Sequence, residues 1–246
     1  MIDELNYKIT LGVPLSSTEK KNDIEMKKAA LIDMDGVLYD SMKLHTLAWY
    51  RMMTELGIPC ERDEFYLYEG MTGKATINRL FQRAYGRDAS QEEADELYQR
   101  KSQIFRELGE RQVMPGAQKL MKRLGEMGLR RILVTGSAQH SLLDSLDIDY
   151  PGVFAPGDRV TALNVTHGKP HPEPYLKGLE IAGVRPEEAI VIENAPLGVL
   201  AGKAAGIETV AITTGPIPRE EFVKAGADLI FPSMPEAAEN FSLDLL

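Results

Sequence analysis

What most constrains this chain is a rhythm of short, unbroken apolar runs set between helix-length amphipathic segments. The runs lie in KKAALIDM (27–34), RRILVT (130–135), EEAIVIE (187–193), IETVAIT (207–213) and ADLIF (227–231). Continuous apolarity, rather than alternation, is expected of parallel strands covered on both faces. Helical spacing marks Ala117–Met127, Ser137–Leu146, Pro172–Ala182 and Leu197–Ala205 between them. Strand–helix–strand repetition predicts a doubly wound parallel α/β sheet with right-handed crossovers.

Residues 45–112 break the rhythm. Three helical stripes mark this stretch, the first beginning one residue before it: Leu44, Ala48, Met52 and Leu56; then Ile77, Leu80, Phe81 and Ala84; then Ala94, Leu97, Ile104, Phe105 and Leu108. A helical block inserted just after the first strand is expected to form a cap over that strand's carboxyl end, where open α/β sheets bind ligands. The expected organisation is an α/β core from 27–44 and 113–246, a helical cap from 45–112, and a polar, partly disordered lead-in from 1–26.

The apolar content of 43% is enough for a sizeable core, and the net charge of −9 argues against nucleic acid or an anionic membrane as partner. The single cysteine, Cys60, excludes an internal disulfide and fits a reducing, cytoplasmic setting. No apolar run is long enough to span a membrane, and residues 1–26 lack a secretory signal's apolar stretch. A monomer or weak homo-oligomer is expected.

The chemistry sits at the strand tips. Asp33 and Asp35 follow the first strand, Thr135, Gly136 and Ser137 the second, and Glu193 and Asn194 the third; Lys169 lies in the intervening loop HGKPHPEPY. Singly, each has a plain reading as a strand end, a helix cap or a solvated lysine. Together they converge on one sheet edge and suit phosphoryl transfer. A carboxylate can attack phosphorus. The Thr135 hydroxyl, the Gly136 amide and the Lys169 ammonium can hold phosphoryl oxygens. A second carboxyl, Asp35, can move the proton, and Mg²⁺ would neutralise the crowded acids.

DMDGVLYDS, VTGS, GKPHPEPY and IENAPLGV resemble the four signature motifs of the haloacid dehalogenase superfamily, and the helical insert resembles the subgroup containing β-phosphoglucomutase. The resemblance spans residues 28–235. It implies a Rossmann-like core and Mg²⁺-dependent chemistry on a small phosphorylated substrate. Asp33 is then the nucleophile. Asp35 is the general acid/base and a metal ligand through its carbonyl. Thr135 and Lys169 hold the phosphoryl group. Asn194 takes the metal-ligand position, with Glu193 its water-mediated neighbour. Asp35 argues against dehalogenation, because true dehalogenases lack an acid there.

Two departures bear on substrate. The usual metal-ligand acid is Asn194 here, which brings no charge. The cap loop LYEGMTGKATINRLF carries Glu69 and Gly73 where β-phosphoglucomutases carry a basic residue and an arginine, leaving Lys74 as the nearby cation. Glu69 is expected to supply the missing charge to the metal, closing the cap on a small, highly charged substrate. EG-x-TG…TIN…FQR, IENAPLG and FPSM resemble a branch with inorganic pyrophosphatase activity, so pyrophosphate is the expected substrate. A sugar-phosphate phosphatase, β-phosphoglucomutase and an idle binding module are the alternatives. Lys101 lies at stripe spacing and is a candidate for reaching substrate. His45 is expected to be structural, near the cap hinge; Trp49 is expected to pack in the cap, with contact to substrate as the alternative; and the methionines at 42, 52 and 53 are expected to pack.

Overall fold

The computed structural model describes residues 26–109, 112–137 and 140–246. The expected lead-in, apart from Met26, lies outside the described residues, as do residues 138–139 of the expected helix Ser137–Leu146. The principal sheet has six parallel strands: β1 (Ala29–Ile32), β4 (Arg130–Val134), β5 (Arg159–Val160), β6 (Ala189–Glu193), β7 (Glu208–Ile212) and β8 (Leu229–Phe231). Their order is β5-β4-β1-β6-β7-β8. A two-stranded antiparallel pair, β2 (Tyr39–Asp40) and β3 (Gln112–Val113), brackets the inserted helices. The five predicted strands are present. β5 was not predicted, since a two-residue edge strand carries no periodicity.

The continuous apolar runs feed two cores. Ala30, Ile32, Leu133, Ile190 and Ile192 pack on one face of the sheet; Ala29, Leu31, Ile132, Val134 and Val191 pack on the other. A strand alternates its side chains between faces, so both sets must be apolar. All four residues of β1 are fully buried.

The insert contains α1 (Met42–Glu55), α2 (Gly73–Tyr85) and α3 (Gln91–Glu107). The Thr72 hydroxyl caps α2 by accepting the Ala75 amide, and α2 ends at Gly86, whose φ of 67° suits glycine. Ser90 and Glu93 form a capping box on α3. Then come α4 (Ala117–Glu126), α5 (His140–Asp149), α6 (Glu173–Ala182), α7 (Pro196–Ala204), α8 (Arg219–Lys224) and α9 (Met234–Asn240).

Strand order reverses between β1 and β6, so a crevice opens at the carboxyl ends of those two strands. Register fixes what meets there. Ile32 pairs with Ile192, and the Asp33 amide donates to the Ile192 carbonyl at 3.0 Å. The motif after β1 therefore lies beside the motif after β6.

Candidate active site

Asp33 is 4% exposed and takes a 2.5 Å ion pair from Lys169 Nζ. The same ammonium reaches Glu193 Oε1 at 2.5 Å and donates to the Val134 carbonyl at 3.2 Å. Glu193 accepts at both oxygens. Oε1 also takes the Tyr175 hydroxyl at 2.6 Å, while Oε2 takes the amides of Asn194 (3.0 Å) and Ala195 (3.2 Å). Four donors occupy its roughly four lone-pair sites, so Glu193 acts as a hub that orients Lys169 and the loop after β6.

Burial pushes the Asp33 carboxyl up to about 8; Lys169 opposes this, while Glu193 and Asp35 add to it. Burial also holds Glu69 well above the usual carboxylate range, with Asp33 adding to the shift. Burial alone would lower Lys169, but the Asp33 and Glu193 carboxylates outweigh it and raise the ammonium. The site has more negative charge than one lysine balances.

Asn194 is 3% exposed. Its amide nitrogen donates to Glu69 Oε1 at 2.9 Å, and its buried Oδ1 has no partner. An orphaned amide oxygen beside Asp33 and a carboxylate from the insert is an all-oxygen donor set, which fits a hard divalent cation such as Mg²⁺. The approach is close. A Cβ on Gly36, whose φ is +83°, would stand 1.9 Å from Asn194 Nδ2.

Asp35 Oδ1 accepts the Ser41 hydroxyl at 2.6 Å and lies 3.1 Å from His45 Nε2. His45 Nδ1 in turn is 2.6 Å from Lys101 Nζ. Lys101 is 2% exposed, with its Nζ 5.1 Å from the Trp49 ring centre and 5.2 Å from that of Phe105. Burial lowers the Lys101 ammonium to about 7, opposed by Asp35.

A cavity of about 70 Å³ lies over Asp33 and Asp35. Thr135, Gly136 and Ser137 line its core side; Trp49, Phe65, Glu69, Tyr98 and Lys101 line the side of the insert. The Thr135 amide donates to the Val160 carbonyl, and its hydroxyl accepts the Ser137 amide at 3.1 Å. The insert sits tightly on the core. A Cβ on Gly136 would stand 3.0 Å from the Gly70 carbonyl oxygen, and one on Gly168 would stand 2.8 Å from the Thr72 nitrogen.

The structure thus brings together Asp33, Asp35, Thr135, Gly136, Ser137, Lys169, Glu193, Asn194, Glu69 and Lys101. It does not bring in Lys74, which is exposed and donates to Gln91 Oε1 at 2.6 Å. His45, expected to be structural near the cap hinge, and Trp49, for which substrate contact was the alternative to packing, both line the cavity. Ser41 and Tyr175 were not singled out, although both stand inside the quoted motifs DMDGVLYDS and HGKPHPEPY. Hydroxyls adjoining motif acids are the signal that identifies them.

A model of the haloacid dehalogenase-like hydrolases matches residues 27–206. Hexitol phosphatase A of Escherichia coli K12 is 31% identical over 194 residues, 75% of this chain and 82% of that protein. A phosphorylated carbohydrates phosphatase of Thermotoga maritima is 30% identical over 187 residues, 74% of this chain and 83% of that one. A solved structure named "Putative beta-phosphoglucomutase" from Bacteroides vulgatus superposes with a TM-score of 0.84 at 43% identity, covering 96% of this chain and 92% of that chain. With the strand-tip motifs gathered on a doubly wound sheet, this chain belongs to the haloacid dehalogenase-like hydrolases, in their β-phosphoglucomutase-like subgroup.

Proposed function

We propose that this chain is a Mg²⁺-dependent phosphatase that cleaves a compact sugar or polyol monophosphate through a phosphorylated Asp33. The carrying observation is the cavity over Asp33 and Asp35. Its outer wall offers Trp49, Phe65 and Tyr98, and no arginine lies among the described residues that line it. Aromatic faces suit a small carbon skeleton, with a few polar groups fixing its orientation. The phosphatases of E. coli and T. maritima point to the same substrate class. Mutase chemistry needs a second phosphate site on the cap; Lys74 is turned to Gln91, which leaves Lys101 as the lysine of the insert on the cavity wall.

Asp33 attacks phosphorus while Asp35 gives its proton to the leaving oxygen. Asp35 then takes a proton from water as the water attacks phosphorus, releasing Asp33. Thr135, the Gly136 amide and Lys169 hold the phosphoryl oxygens. His45 and Ser41 fix the Asp35 carboxyl. Asp33, the Asp35 carbonyl, Asn194 Oδ1 and Glu69 would hold Mg²⁺, which supplies charge neutralisation at the transferring group.

Inorganic pyrophosphate is the second reading, favoured by the Glu69–Asn194 contact at 2.9 Å. An acid delivered from the insert to the metal site suits a dianionic leaving group. The cavity of about 70 Å³ is small, which suits pyrophosphate better than a hexose phosphate. Phosphate release with Mg²⁺ over hexitol, hexose and glycerol phosphates and pyrophosphate separates the two. A preferred sugar or polyol phosphate is expected; preference for pyrophosphate replaces the first reading with the second. Asp33→Asn abolishes turnover of every substrate, and near-normal kcat in that variant would overturn the mechanism.

A further inference from the structure

The loop that delivers Lys169 carries a second set of ligating groups. His167, His171 and Glu173 each offer one donor atom, and the three atoms lie within 4.8 Å of one another. The imidazole rings are 4.6 Å apart at their centres and tilted by 32°. His167 Nδ1 stands 3.0 Å from Glu173 Oε2. The Thr166 and His167 amides donate to the two carboxylate oxygens at 2.8 and 2.9 Å. Those two amides, the Thr166 bond first, hold the Glu173 carboxyl down at about 2, so it is anionic at neutral pH. His171 Nδ1 accepts the Glu173 amide at 3.2 Å, a bond that an ion held by that nitrogen would replace.

We propose that His167, His171 and Glu173 form a binding site for one divalent transition-metal ion, best matched by Zn²⁺ and separate from the Asp33 site. The donor chemistry makes the distinction. Two imidazoles and one carboxylate suit Zn²⁺, whereas Mg²⁺ takes oxygen ligands. With Zn²⁺ bonds of about 2.0–2.1 Å, tetrahedral ligand atoms lie about 3.3 Å apart. Exposed rings can close from 4.8 Å by rotating, and the His167 side chain is 62% exposed. The ion takes the place of the His167–Glu173 contact, and water completes its coordination. Lys177 stands 4.0 Å from Glu173 Oε1, and its charge opposes the ion and weakens binding.

The position gives the site a consequence. His167 and His171 flank Lys169, and Gly168 between them meets Thr72 of the insert. An ion bridging the histidines braces the segment that holds both the catalytic lysine and the seat of the cap.

The test is a Zn²⁺ titration by calorimetry, with full-length protein in excess Mg²⁺ so that the oxygen site is filled. Cys60→Ser serves as the background, removing the one thiol. One equivalent is expected to bind, and His167→Ala and His171→Ala are each expected to weaken it at least about tenfold. Both side chains are exposed, so these variants should match the parent in thermal melting. Absence of saturable binding, or affinity unchanged in both variants, overturns the site.

Discussion

At the scale of single residues, the site depends on how Glu193 divides its hydrogen bonds. Tyr175 and Lys169 share Oε1, at 2.6 and 2.5 Å. A Cβ on Gly198 would stand 1.9 Å from that oxygen, so the carboxylate has little room to move. Removing the Tyr175 hydroxyl leaves more of the Glu193 charge to Lys169 and draws the ammonium away from Asp33. Tyr175→Phe keeps the ring beneath Lys169 and deletes only that donor. It is expected to lower kcat about tenfold, in line with the loss of one hydrogen bond to a charged group, with KM within about twofold. Steady-state kinetics on the preferred substrate check this; a proportional rise in KM with unchanged kcat would show that Tyr175 acts on binding instead. Much of the site was legible at this scale, because acids, a hydroxyl and a lysine at strand tips have few other reasons to occur together. Tyr175 and His45 were not legible. A tyrosine or histidine near apolar residues reads as packing, and only the fold shows that its polar atom meets a carboxylate.

At the scale of elements, two glycines decide how the insert meets the core. Neither Gly168 nor Gly136 lies in the left-handed region of φ, so their value is space. A methyl on Gly168 would press on Thr72 at the nitrogen (2.8 Å) and at Cγ2 (2.9 Å), just before α2. Backbone does not give way as a flexible side chain does, so Gly168→Ala must lift the loop carrying Glu69. A displacement of about 1 Å at a catalytic site can cost about a hundredfold in rate. Gly168→Ala is therefore expected to lower kcat/KM by about 10- to 100-fold while the core melts normally, and faster proteolysis of the insert should accompany the loss. Unchanged kcat/KM would mean that the loop tolerates the shift. The strands were legible because burial on both faces writes an unbroken apolar run into the sequence. β5 escaped because two residues hold no period, and the seating of the insert escaped because a glycine chosen for space looks like any other loop glycine.

At the scale of the whole molecule, stability should depend on pH and on Mg²⁺ together. In the metal-free protein Asp33 is raised from its usual 3.8 to about 8, chiefly by burial, and Glu69 moves in the same direction. Between those limits the folded state binds more protons than the unfolded chain, so stability falls as pH rises from about 4 to 8. Mg²⁺ reverses this by favouring the ionised acids, and it competes with protons at lower pH. The cation should therefore stabilise more at pH 8 than at pH 5.5. Ligand at a hundred times its Kd contributes about 2.7 kcal/mol, which for a chain of this size is a Tm increase of about 5–10 °C. Thermal melts in EDTA and in Mg²⁺ at the two pH values measure the difference directly. Asp33→Asn should lessen the pH dependence in EDTA, leaving Glu69 as the other group whose protonation favours the folded state. An Mg²⁺ shift no larger at pH 8 than at pH 5.5 would remove the ionised Asp33 cluster as the seat of the metal, even if activity still required Mg²⁺.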